Sequence, residues 1–352
     1  MNAANGNEAD GNEADGNAAD GNAADGNAVD GNAVDGRAAD GNVADGNAVV
    51  GSAAGAEAHG GPLVVGVDGS EPSLRAADWA ADESALRGVP LRVVYACLWD
   101  RYEGVALALD VGRPTEPPLP REVVGAAAER ARARHPGLRV TTDVVFEEPG
   151  SALIRAARSA SALVVGSRGR SGVAGMVLGS VSLTVAAHAD CPVIVLRGSH
   201  DNQATPPVHG LVVVGVGEDE RESSVVRFAA EEARRRGVPL EAVRAWRCPV
   251  HEPGGHPLTA GVPTRQYEER AGQVLEAALA DLPADVEVRR RTAEGHARRA
   301  LVDASHRADL LVVGARRREG HLGLQLGRTA HAVLHHSACP VAIVPHRGHD
   351  AR

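Results

Sequence analysis

Ser161–Leu196, reading SALVVGSRGRSGVAGMVLGSVSLTVAAHADCPVIVL, is the stretch whose reading decides the fold. The apolar run Leu163–Val165 ends at Gly166, a Gly/Ser/Arg loop follows, a helical segment opens at Gly179–Ser180, and a second apolar run follows Cys191–Pro192. Short apolar runs bounded by turn residues predict buried strands, so the unit reads strand, loop, helix, strand. Two residues separate Gly166 from Gly169, and nine separate Gly169 from the Gly179–Ser180 pair. Such a loop keeps its backbone clear of side chains. Amides at a helix start attract negative charge, so the spacing points to a phosphate. The loop is not a P-loop, which needs a lysine, because the chain has no lysine. Nor is it a GxGxxG fingerprint, since these glycines follow a late strand of the unit.

Upstream, PLVVGVD (62–68) predicts a first strand, GSEPS a turn, and Ser73–Arg87 a helix closed by Gly88 ahead of Pro90. Leu91–Ala96 predicts the second strand, REVVGAAAERARARH a helix, LRVTTDVVF the third strand and SALIRAARSAS the next helix. The Pro-containing region 100–120 is expected to cross the surface or cover the site. Residues 198–209 are polar, Pro-containing and unpatterned, hence a linker. Beyond them the pattern restarts. Residues 211–240 match 62–91 at a constant offset of 149, with Gly215 facing Gly66 and Phe228 facing Trp79. Later, DLLVVGA faces ALVVGS and ACPVAIV faces DCPVIVL at an offset of 148. The chain holds two copies of one α/β domain.

Aromatic residues are 2% of the chain and hydrophobic residues 43%, so the core must be Val, Leu and Ala, as in parallel sheets covered by Ala-rich helices. Of the net charge of −9, the first 61 residues contribute ten negative charges, leaving the rest near neutral, which does not suit a nucleic-acid binder. Those 61 residues repeat GNEAD, GNAAD and GNAVD, a five-residue period with no apolar face for a helix or strand, and predict disorder. The four cysteines, Cys97, Cys191, Cys248 and Cys339, have no CxxC spacing and are too few for a disulfide scaffold. With no apolar stretch of membrane-spanning length and no signal peptide, the expected location is cytoplasmic.

The glycine pattern, the VVGVDGS opening, the RGVPL approach to strand two and the CPV entry to the last strand together resemble the universal stress protein family. The nucleotide loop of that family reads G-x2-G-x9-G-(S/T). The resemblance covers about four-fifths of the chain. It implies two tandem Rossmann-like domains, 62–197 and 210–346, each a five-stranded parallel sheet flanked by helices, after the disordered tail 1–61. It also implies pairing of Val193–Leu196 with Val341–Val344 as an intrachain pseudo-dimer, and leaves a homodimer open.

Ligands of open α/β sheets sit beyond the carboxyl ends of strands at the topological switch point, which places Asp68 near the loop that runs from Gly166 to Ser180. The resemblance implies ATP with magnesium as the cofactor. The backbone of Gly66 and Val67, together with Asp68, would meet the nucleoside, and Val94 the adenine. Gly166, Ser167, Gly169, Gly179, Ser180 and Val181 would form the phosphate loop. The alternative for Asp68 is a local turn cap, and for Ser180 an ordinary N-cap. Arg168 and Arg170 are candidates for charge-assisted phosphate contacts, or solvated loop residues. No catalytic acid or base is recognisable, which favours binding over fast hydrolysis.

The second copy departs from this pattern. Gly217 stands for Asp68, Arg317 for Gly169 and Arg328 for Ser180, while Gly314 and Gly327 remain. A degenerate site and a structural or regulatory lobe are expected. His331 and His335 lie four apart, but two ligands are too few for a metal centre and none is expected. Arg316–Arg318 has no aromatic neighbours and reads as a solvated or anion-contacting loop. The sequence thus favours a nucleotide-dependent regulator of a protein partner in the stress response. A slow ATPase or autophosphorylating switch, and a nucleotide-free scaffold, are the alternatives.

Overall fold

The computed structural model describes residues 60–98, 119–169, 178–197, 208–217, 223–248, 264–317 and 324–347. The repeat tail through residue 59, the stretch 99–118, most of the linker, and loop positions 170–177 with Arg170 among them lie outside the described residues.

Lobe 1 runs β1 (Leu63–Gly66), α1 (Glu71–Arg87), β2 (Leu91–Cys97), α2 (Pro120–Arg134), β3 (Val140–Phe146), α3 (Pro149–Ala156), β4 (Ala162–Gly166), α4 (Ser180–His188) and β5 (Val193–Leu196). Lobe 2 repeats it with β6 (Val212–Gly215), α5 (Ser223–Arg236), β7 (Leu240–Trp246), α6 (Thr264–Leu279), β8 (Val288–Glu294) and α7 (Ala297–Ser305). It closes with β9 (Leu310–Arg317), a short β10 (Leu324–Gln325), α8 (Arg328–His336) and β11 (Val341–Arg347).

All eleven strands belong to one sheet, ordered β3-β2-β1-β4-β5-β11-β9-β6-β7-β8, with β10 attached to β9. Neighbouring strands within each lobe's five are parallel. The lobes meet where β5 and β11 pair antiparallel, with Ile194 opposite Ala342 and Val193 opposite Ile343. Ile194 and Ala342 are counterparts in the repeat, so a local two-fold axis passes between them. The pairing implied by the resemblance is therefore present, and the two parallel sheets are halves of one.

Side chains alternate between two cores. Leu63, Val65, Val212 and Val214 face the helices α1, α2, α5 and α6, whereas Val64, Val193, Val213 and Ile343 face α3, α4, α7 and α8. Strands buried on both faces explain the unbroken Val/Leu runs. The inner side of α1 is Ala76, Ala77, Ala80 and Ala81, all fully buried, which lets the helix lie close on the sheet while Trp79 fills the remaining space. Ser70 caps the start of α1, and Gly88, at φ 67°, ends it in the left-handed conformation that glycine tolerates best.

Charge is buried between the lobes. Arg87 Nε lies 2.5 Å from Glu83 Oε1 and its Nη2 2.9 Å from Glu232 Oε1, while Arg236 reaches Glu83 Oε2 at 2.6 Å and also pairs with Glu232. Both glutamates have fully buried side chains. The arginines also cover each other's aromatic counterparts, Arg87 over Phe228 and Arg236 over Trp79. Glu83 with Glu232, and Arg87 with Arg236, are related by the 149-residue repeat, so the quartet is two-fold symmetric like the strand junction.

Candidate functional site

In lobe 1, β1 lies between β2 and β4. The chain leaves β1 towards α1 on one face and returns through α3 on the other, which makes the gap beyond β1 and β4 the switch point. β1 ends at Gly66, two residues before the sequence expectation. Val67 N still donates to Val94 O at 2.9 Å, but the chain then turns. Asp68 N donates to Ser73 Oγ (3.2 Å), and Asp68 Oδ1 accepts from Ser70 N (3.0 Å) and Ser70 Oγ (2.6 Å). Gly69 has φ +80°, which fits this tight turn. Asp68 therefore does cap its local turn through one oxygen. Its other oxygen faces the strand-four loop, where a Cβ on Gly169 would collide with Oδ2. The two loops meet as the switch-point argument expects. The Val94 side chain, 1% exposed, is packed in the core, so the end of β2 offers a ligand mainly backbone.

The loop glycines have different reasons. At Gly166 a Cβ would come within 2.8 Å of Pro72 O and 2.9 Å of Pro72 C, so the end of β4 abuts the first turn of α1 too closely for any side chain. At Gly179 the fold makes no such demand. Its φ of −78° suits any residue, and among the described residues a Cβ there would meet nothing closer than 3.6 Å. Gly179 N donates to Ser167 O at 2.8 Å, closing the base of the loop. Ser182 Oγ donates to Gly166 O at 2.7 Å from a buried position and ties α4 to the end of β4.

Gly179, and not Ser180, is the N-cap of α4, and among the described residues no side chain caps the helix. The N-cap alternative for Ser180 is therefore corrected: Ser180 stands at the first helical position with its side chain exposed. The first amides of α4, on Ser180, Val181 and Ser182, are those an α-helix leaves without internal partners. Arg168 is exposed beside them, its Cα 3.6 Å from where a Gly179 Cβ would stand. Ser182 was missed in the sequence. Its signal was a hydroxyl on the buried stripe shared with Val185 and Ala186, a position that calls for a partner.

Lobe 2 builds this region differently. β4 pairs with β5 only as far as Gly166 opposite Leu196, but β9 pairs with β11 through Gly314, Ala315, Arg316 and Arg317. On its other side β9 receives β10, with Gln325 opposite Arg316 and Leu324 opposite Arg317. Residues 167–169, which lie outside the strands of lobe 1, have their counterparts 315–317 within β9 in lobe 2. Where Ser180 stands in lobe 1, α8 begins with exposed Arg328. A Cβ on Gly314 would lie 3.0 Å from the imidazole of His346, which fills the end of this strand.

Among the described residues no group of three or more His, Cys, Asp or Glu is placed to hold a metal ion, and no helix is long and apolar enough to cross a membrane. His331 and His335 stack with ring centroids 4.6 Å apart. Cys191 and Cys339 are buried in the core.

A model described as the universal stress protein family matches residues 61–197 and again 210–345. A universal stress protein of Mycobacterium tuberculosis is 34% identical over 299 residues, covering 80% of this chain and 96% of the relative. One from Mycolicibacterium smegmatis is 30% identical over 294 residues, covering 80% and 96%. The crystal structure of a universal stress protein from Archaeoglobus fulgidus covers 81% of this chain and 98% of its own, with a TM-score of 0.55 at 20% identity, a likeness of fold. Both halves of the sheet, apart from the last two residues of β11, lie within the matched segments, and the chain belongs to the universal stress protein family, carrying two of its domains in tandem.

Proposed function

We propose that lobe 1 binds an adenine nucleotide, ATP with magnesium, and that occupancy of this single site regulates a protein partner in a cytoplasmic stress response. The observation that carries the reading is Gly179: among the described residues nothing crowds a side chain there, yet the position carries none in front of the first amides of α4. An anion accepts from such amides and is favoured by the helix dipole. Ser180, Val181 and Ser182 would hold phosphate oxygens through their amides, with the Ser180 hydroxyl adding a donor. Gly166, Ser167 and Gly169 let the loop approach, Arg168 and Arg170 supply charge, and Gly66, Val67, Asp68 and the backbone of Val94 border the nucleoside. Lobe 2 would not bind conventionally, because the matching backbone is committed to β9–β10 and β9–β11 pairing.

A slower chemical alternative draws on Ser70, whose hydroxyl donates to Asp68 Oδ1 at the mouth of the site. Label transferred from ATP to Ser70 would favour it. The test of the leading reading is thermal unfolding of the full chain with ATP and magnesium. A ligand at about 100 times its Kd stabilises the native state by about 2.7 kcal/mol. A clear rise in Tm is expected, lost in Gly169→Arg; no shift at millimolar ATP would overturn the reading.

A further inference from the structure

The helix whose first amides would receive phosphate is short. α4 has nine residues and buries only Ser182, Val185 and Ala186. A helix of that length is marginal by itself and keeps its place through what it packs against. Among the described residues α4 rests chiefly on α3, on β5 and, from the other lobe, on β10. Leu326, one residue past β10, is partly buried and packs against the apolar cluster that contains Val185 and Ala186. One of the three supports of a lobe 1 helix is therefore supplied by lobe 2.

That support comes from the part of lobe 2 that departs from its twin. Arg316 and Arg317 stand where lobe 1 has Arg168 and Gly169, but their backbone lies within β9. β11 pairs with them on one side, and Gln325 and Leu324 of β10 on the other. Backbone held in a ladder opens less readily than a loop, so these residues offer α4 a fixed surface. The antiparallel β5–β11 junction brings that surface across to lobe 1. What lobe 2 has lost as a phosphate loop it has gained as a brace for the helix of the intact lobe.

We propose that the β9–β10 pair of lobe 2 is a positioning element for the lobe 1 site: it sets where the first turn of α4 stands, and nucleotide bound at that turn tightens the pair. The inference rests on the reading that phosphate binds at α4. Coupling between two sites is reciprocal, so the factor by which the closed pair raises nucleotide affinity is the factor by which nucleotide favours the closed pair. Occupancy of lobe 1 is thereby transmitted to lobe 2.

The test combines calorimetric titration with ATP and magnesium and amide hydrogen exchange with and without ATP, on the full chain and on Leu324→Pro, Gln325→Pro and Leu326→Ala. Proline takes an amide hydrogen out of β10 and loosens the pair. Leu326→Ala trims packing alone and decides the matter if the proline variants do not fold. The proline variants are expected to bind ATP about fivefold or more weakly, and Leu326→Ala to follow in the same direction by less. In wild type, saturating ATP is expected to slow exchange at Arg316, Arg317, Leu324 and Gln325 by a factor similar to the affinity lost in the proline variants. A purely structural role would lower Tm and move neither quantity. The proposal is overturned if no folded variant binds ATP more weakly, or if ATP binds and leaves exchange in β9 and β10 unchanged. Absence of ATP binding in wild type would refute the nucleotide reading, and exchange within α4 would then decide the brace: faster exchange at Val181–His188 in the variants supports it, and unchanged exchange overturns it.

Discussion

Replacing Gly179 with aspartate separates what the fold requires from what a phosphate requires. The residue is the N-cap of α4 in an extended conformation, with room for a side chain, so the substitution is expected to fold without strain. Its carboxylate would accept from the amides of Val181 or Ser182 and oppose the helix dipole. An aspartate cap improves on glycine by a few tenths of a kcal/mol, and a charge at a helix start adds about 0.3–1 kcal/mol. The sum, about 0.5–1.5 kcal/mol, corresponds to a rise in Tm of about 1–5 °C for a cooperative unit of this size. The same carboxylate would stand where the phosphate is expected. Repulsion between unit charges at about 4 Å is roughly 1 kcal/mol in water and about 4 kcal/mol near a protein surface, a loss of affinity of about fivefold to nearly thousandfold. Differential scanning fluorimetry reads the first effect and calorimetry with ATP and magnesium the second. A variant that melts higher and no longer binds is the predicted result. Undiminished ATP affinity would refute the reasoning, as would a Tm several degrees lower, which would mean that α4 does not begin at Gly179.

The inter-lobe charge quartet predicts that Glu232→Ala alone, which leaves Arg87 and Arg236 sharing Glu83 with one buried positive charge uncompensated, costs about 3–5 kcal/mol in urea unfolding, whereas replacing Glu83, Arg87, Glu232 and Arg236 together by apolar residues of similar volume is close to neutral. A small loss for the single substitution would contradict the burial of the quartet. Burial pushes the thiols of Cys191 and Cys339 up to about 12, so at pH 8 a thiol reagent should modify only the half-buried Cys97 and Cys248 in the native chain and all four after unfolding. Glu148 caps α3, and although burial alone would raise its pKa, bonds from the amides of Ser151 and Gly150 hold it low. A depressed carboxylate stabilises above its unfolded pKa of about 4.3, so the stability gap between wild type and Glu148→Gln should be constant near neutrality and close as pH falls below that value.

The strands and helices of both lobes were legible because Val/Leu runs, capping residues and the repeat all carry local signals. Gly88 ends α1 as the sequence predicts, whereas the helix begins at Glu71 behind a Ser70 cap, two residues ahead of the predicted Ser73, because Pro72 fits the first helical turn. What was not legible depends on elements far apart in the chain. Glu83 and Arg87 look like an exposed i,i+4 pair until α5 brings up the matching pair, and only their coincidence at the repeat offset hinted at a junction. The length of β9 could not be read either. Ala315–Arg317 form strand because β11 runs on to Arg347 alongside them and β10 folds back on the other side. In lobe 1, pairing of β4 with β5 ends at Gly166 and Leu196, and the loop begins. Of the candidate site, the glycine spacing and the turn cap by Asp68 are local features that the sequence carries, whereas the start of α4 behind Gly179 and the tie from Ser182 to the end of β4 depend on tertiary contacts.

The most direct measurement is the stoichiometry of ATP binding to the whole chain by calorimetric titration with magnesium present. One site per chain, abolished by Gly179→Asp, is the predicted result. Two sites per chain, or none, would contradict the proposal that nucleotide binds in lobe 1 alone, the backbone of Ala315–Arg317 in lobe 2 being committed to the sheet.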